Sequence, residues 1–128
     1  MIVNTVVDKN AAVMVHTVTG EITIEKIKSS YAESITHPDF QKDMDVIWDI
    51  RDADASNFDS HEVIRLARYF ETQLKNRVKY KVAVIVSRDL EYELSRTYQV
   101  AAADLPTQIE IFINLEDARK WLSGADGI

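Results

Sequence analysis

Asp49 and Arg51 are the residues of this 128-residue chain whose type and spacing best suit chemistry. They bracket Ile50 at the end of the apolar run Val46-Ile47-Trp48, so a carboxylate and a guanidinium stand where a buried strand gives way to polar sequence. Ligands of parallel sheets tend to bind outside the carboxyl ends of the strands. Ser87 and Arg88 close the next apolar run, Val82 to Val86, and belong to the same rim. Two readings stay open for the pair: contact with a ligand, or pairing with each other and with nearby loop backbone. Ser60 offers a hydroxyl at the head of a helical stretch. Arg96, flanked by Glu93 and Gln99 off an apolar stripe, suits an anionic headgroup or a partner's carboxylate, or is a locally paired surface arginine. Asp49, Arg51, Ser60, Ser87 and Arg96 are therefore candidate ligand or partner contacts. None is assigned a catalytic role.

Other chemistries are excluded or disfavoured by composition. There is no cysteine, which removes thiolate nucleophiles, zinc–thiolate sites and disulfides together. The three glycines, Gly20, Gly124 and Gly127, cannot form a P-loop or a dinucleotide fingerprint, which need several closely spaced glycines. His16, His37 and His61 have no ligand partner at metal-binding spacing, and the acidic run Asp52, Asp54, Asn57 and Asp59 lacks the glycine and spacing of a calcium loop. No metal or cofactor is expected. A formal charge of −6 disfavours a nucleic-acid surface, which needs clustered basic residues. The densest basic stretch, Lys75 to Lys81, reads as a helix-to-strand connection with its cations at a helix C-terminus. No apolar run reaches the length of a membrane span, the N-terminus lacks the pattern of a secretion signal, and a cytoplasmic location is expected.

These candidates must be carried by alternating strands and helices. The apolar stretches Ile2 to Val7 and Ala12 to Val18, joined by Asp8-Lys9-Asn10-Ala11, predict a hairpin. Ile24, Ile27, Tyr31 and Ile35 share one helical face, with Thr23 as N-cap and Pro38 beyond the end. Val46 to Ile50 predicts a buried strand, and Arg51 to Phe58 a polar loop. Asp59, followed three residues later by Glu62, starts a second helix with Val63, Leu66, Ala67, Phe70 and Leu74 on one stripe. Val82 to Val86 predicts another buried strand. A third helix follows, with Leu90, Leu94, Tyr98, Ala101 and Leu105 aligned before Pro106. Gln108 to Ile113 alternates as an edge strand, and Asn114 caps a last short helix. The order β-β-α-β-α-β-α-β-α implies an α/β fold with a mainly parallel five-stranded sheet and four helices, the third and fourth strands central and the first antiparallel to the second. Residues 1–122 are expected to form one domain, and 123–128 a tail.

Several phrases in this order resemble the SpoIIAA-like branch of the STAS (sulfate transporter and anti-sigma-factor antagonist) families. They are Gly20-Glu21-Ile22-Thr23, Trp48-Asp49-Ile50-Arg51, Ser95-Arg96-Thr97-Tyr98, and the closing Phe112 with Ala118-Arg119-Lys120-Trp121-Leu122. The resemblance spans nearly the whole chain and implies a (βα) superhelix, similar also to the fold of CRAL-TRIO lipid carriers. Phospho-regulated members of the family carry their serine in an Asp-Ser-Ser-Gly-Leu-Gly-like segment. Here that segment reads Asp59-Ser60-His61-Glu62-Val63-Ile64, so Asp59 and Ser60 match while the second serine and both glycines do not.

Three functions are consistent with this reading. A non-enzymatic regulatory or protein-interaction module comes first, implied by the resemblance. A carrier or sensor of a small apolar, lipid-like ligand comes second, and an enzyme using the Asp49–Arg51 rim third. The expected partner is a protein or a small apolar molecule, not nucleic acid. A homodimer is expected because symmetric dimers are the commonest assembly and the last strand is a partly apolar edge.

Overall fold

The structure, a computed structural model, describes residues 1–74 and 79–124. The elements are β1 (Ile2–Asp8), β2 (Val13–Glu21), α1 (Ile24–Ile35), β3 (Asp45–Asp54), α2 (Ser60–Gln73), β4 (Tyr80–Ile85), α3 (Asp89–Ala101), β5 (Thr107–Phe112) and α4 (Leu115–Leu122). They form one five-stranded sheet in the order β1-β2-β3-β4-β5. β1 is antiparallel to β2, and every later pairing is parallel. The two apolar runs expected at the centre, β3 and β4, each have a strand on both sides. Their near-continuous apolar runs suit strands with helices packed over both faces of the sheet. Of the basic stretch, Lys75 to Val78 lie outside the described residues, as do Ala125 to Ile128 of the tail.

Side-chain caps start three of the helices. Thr23 accepts from the amide of Lys26, Asp59 from that of Glu62 and Asn114 from that of Asp117, each satisfying an otherwise orphaned donor of a first turn. Alternation along the strands then divides the core. Val18, Val46, Trp48 and Val82 face a cluster with Ile24 and Tyr31 of α1, Val63, Leu66 and Phe70 of α2, and Leu94 and Tyr98 of α3. Val13, Ile47, Ala83 and Ile85 face the other way, against Ala118, Leu115 and Trp121 of α4. Helices α1–α3 thus cover one face of the sheet, and α4 covers the other.

Two sequence expectations are corrected. The segment Arg51–Phe58 is not all loop, because β3 runs on to Asp54, pairing Asp52, Ala53 and Asp54 with Thr19, Gly20 and Glu21. The exposed aspartates disguise it; backbone pairing and the burial of Ala53 hold it in the sheet. The second correction concerns the rotation of α3. Leu90 is 45% exposed and Ala101 is also exposed, while Glu91 and Ser95 are buried with Leu94 and Tyr98. Helix α3 leans on the sheet through Glu91, Leu94, Ser95 and Tyr98, with Ala102 just past its end, a stripe shifted by about one residue from the most apolar one.

Candidate functional site

The Asp49–Arg51 pair sits at an irregularity in β3. Between the pairs Thr17↔Asp49 and Thr19↔Asp52, β3 carries one residue more than β2, a bulge at Ile50 and Arg51. The extra residue reverses the alternation, which is how Ala53 returns to the α1–α3 face. Arg51 closes on Asp49 in a two-point contact, Nε to Oδ1 at 2.9 Å and Nη2 to Oδ2 at 2.7 Å. Its backbone amide also donates to Asp49 Oδ1, at 3.2 Å. The hydrogen bond from Arg51 holds the Asp49 carboxyl below its ordinary pKa and raises that of the guanidinium. The arrangement braces the bulge.

Beyond Asp49, β3 has no ladder partner in β4, whose pairing stops at Ile85. Two side chains take over. Ser87 Oγ donates to the carbonyl of Arg51 at 2.9 Å, and Arg88 Nη2 donates to the carbonyl of Ala53. Asp49, Arg51 and Ser87 are therefore brought together, each with a partner in the local backbone or in one another. Ser60 lies apart, exposed in the first turn of α2 where Asp59 supplies the cap. Arg96 is separate again: it donates to Gln99 Oε1 at 2.6 Å, in a groove between α2 and α3 lined also by Ile64 and Val100.

A feature the sequence did not announce lies beneath the helices. Between the sheet and α1–α3 is a cavity of about 180 Å³ with an overwhelmingly apolar lining. Trp48, Phe58 and Val84 are on its walls, and Tyr31, Phe70 and Tyr98 meet edge to face across it, at 5.1 and 6.4 Å between ring centroids. That chain of rings ties the three covering helices together. His16 also lines the cavity, its ring 4.2 Å from that of Trp48 and its Nδ1 2.8 Å from Thr5 Oγ1. Burial lowers the pKa of His16 from 6.5 to about 4, so the ring is neutral at physiological pH. Burial, with Tyr80 nearby, pushes the Tyr98 phenol above its ordinary value and keeps it un-ionised.

The polar atoms of the lining are few. Glu91, in the first turn of α3, is 2% exposed. Arg88 Nη2 lies 3.3 Å from its Oε1, at the rim. Among the described residues two buried side-chain polar atoms have no hydrogen-bond partner, Glu91 Oε2 and Thr107 Oγ1, and both residues line the cavity. Among the described residues there is also no group of three His, Cys, Asp or Glu side chains that could hold a metal ion. A sequence signal for Glu91 did exist: it lies one and two turns before Ser95 and Tyr98, on the flank of the apolar stripe. A first-turn glutamate reads equally well as a surface acid at a helix N-terminus.

A crystal structure of an uncharacterised protein of the DUF3478 family from Shewanella loihica PV-4, described as having a SpoIIAA-like fold, superposes with a TM-score of 0.57. The match covers 94% of this chain and 92% of that one, at 17% sequence identity. The fold is SpoIIAA-like. At that identity the likeness extends to the architecture and not to a role. No family model matches the chain, and no curated protein does. Among the described residues no helix is long and apolar enough to cross a membrane.

Proposed function

We propose that this SpoIIAA-like protein is a non-catalytic carrier or sensor of a small, largely apolar molecule held between the sheet and helices α1–α3. The cavity carries the reading. Protein interiors are packed to the density of organic crystals, and spaces larger than a water molecule are few. An apolar cavity of about 150 Å³ stays dry and accepts benzene; the one here measures about 180 Å³. A substituted benzene or a short alkyl compound matches that volume, whereas a long acyl chain exceeds it. The rim pair supports the same reading by its other commitments, since Asp49 and Arg51 are engaged with each other and with the backbone of the bulge.

Native mass spectrometry of freshly purified protein, combined with titration of toluene followed by ligand-observed NMR, tests this. Saturable toluene binding, or a small apolar mass carried through purification, is the expected result. A protein that neither carries such a mass nor takes toluene at its solubility limit overturns the proposal.

A protein-interaction role is the second reading. Ile64 and Val100, the latter 69% exposed, flank the α2–α3 groove beside Arg96, and the edge strand β1 exposes Ile2 and Val6. Clustered exposed apolar side chains are the usual mark of a contact surface. A homodimer through either surface is expected to show a doubled mass in light scattering at tens of micromolar protein. A monomer mass at that concentration counts against it.

A further inference from the structure

We infer that the cavity selects a small apolar molecule bearing a neutral hydrogen-bond donor, a hydroxyl group, and rejects the corresponding carboxylate. The inference rests on the ligand-binding reading and adds the chemical class. Its origin is Glu91. A carboxyl group is among the most costly side chains to bury without partners, and the penalty for an unmatched acceptor is larger for a charged group than for a neutral one. Glu91 is nonetheless placed on the inner wall of an apolar cavity, with Oε1 toward Arg88 and Oε2 unmatched. Ser95, one helical turn further on, lines the same wall.

The charges on this wall decide the kind of head group. Arg88 already faces Glu91 from the rim, so the carboxyl does not need a cation from the ligand to balance it. An ammonium group would bring a further charge out of water, at a desolvation cost its single contact would not recover. A carboxylate would meet Glu91 as a like charge in a low-dielectric space. A hydroxyl can donate to Oε2 and leave the rest of the molecule against Trp48, Phe70 and Tyr98, which fill the neighbouring walls. Thr107 Oγ1 is the other unmatched atom. It sits at the start of β5, near the C-terminal end of α3, whereas Glu91 is in the first turn of a 13-residue helix. At about 1.5 Å per residue the two lie too far apart for one molecule of this size to reach both.

Toluene, benzyl alcohol and benzoate share a ring and differ in the substituent, so they separate the contributions. In ligand-observed NMR titrations at neutral pH, benzyl alcohol is expected to bind wild-type protein on the order of tenfold more tightly than toluene, as a hydrogen bond to a charged group implies. Benzoate is expected to bind more weakly than toluene. In Glu91→Leu, benzyl alcohol should fall to the affinity of toluene. If Glu91→Leu does not fold, the order of the three ligands on wild type remains the test. Toluene binding with benzyl alcohol no tighter, or with benzoate equal to it, overturns this inference and leaves the cavity proposal standing. Failure of all three ligands to bind overturns both.

Discussion

Mild acid should destabilise this protein through His16, as the pH falls from about 6.5 toward about 4. The ring is 2% exposed, packed on Trp48 and bonded at Nδ1 to Thr5. Burial lowers its pKa from 6.5 to about 4. In the unfolded chain the imidazole takes up a proton near its ordinary pKa, while the folded protein refuses it until the pH approaches the lower value. Stability is therefore complete above about pH 6.5, declines as the pH falls through the window, and from this residue declines no further below about pH 4. At about 1.4 kcal/mol per unit, the full depression is worth about 3 kcal/mol, most of it lost by about pH 4.5. Asp49 acts in a different window: its carboxyl is held below 3.8 by Arg51, so the stability it lends is lost only at still lower pH. Urea denaturation of wild type and His16→Gln, followed by circular dichroism from about pH 7.5 to 4.5, isolates the effect. Glutamine keeps a hydrogen-bonding group near Thr5 and does not titrate. Wild type should lose about 2–3 kcal/mol more than the variant across that range. Parallel profiles for the two proteins would refute the argument that the ring is buried and neutral.

Two further outcomes follow from the helix caps and the core. Asp59→Ala, which removes the acceptor for the Glu62 amide, should cost about 1 kcal/mol in chemical denaturation. Ser60→Ala, at an exposed position beside that cap, should cost less than Asp59→Ala and leave ligand and partner binding unchanged; a larger loss for Ser60→Ala would mean that the cap is misassigned. Ile47 is fully buried on the α4 face, so Ile47→Ala should cost about 2–5 kcal/mol, against about 0.5–1.5 for Ile47→Val. A loss under about 1 kcal/mol for the alanine variant would show that α4 does not seal that face.

Local signals in the sequence were sufficient for the order of elements. Thr23, Asp59 and Asn114 are short polar side chains before amphipathic stretches, and each caps the helix it precedes. The alternation of strand and helix after the opening hairpin leaves few arrangements other than parallel pairing with helical crossovers, which is the sheet observed. These features depend on neighbours a few residues apart, so they are written in the chain itself.

Contacts between distant segments decided the rest. Asp52 and Asp54 have the composition of a loop, and only Thr19 to Glu21, more than thirty residues earlier, draw them into β3. The rim residues Asp49, Arg51 and Ser87 meet because β3 and β4 are neighbours, and the bulge then turns the pair inward on itself. Helix α3 shows the limit most clearly. Its pattern permits two overlapping stripes that share Leu94 and Tyr98, one completed by Leu90 and Ala101, the other by Glu91 and Ser95. Hydrophobicity favours the first. The second is the one placed against the sheet, with Arg88 tied to both Ala53 and Glu91 where the helix begins. The cavity is likewise a property of the space left between a twisted sheet and three helices, and no window of sequence contains both of its walls.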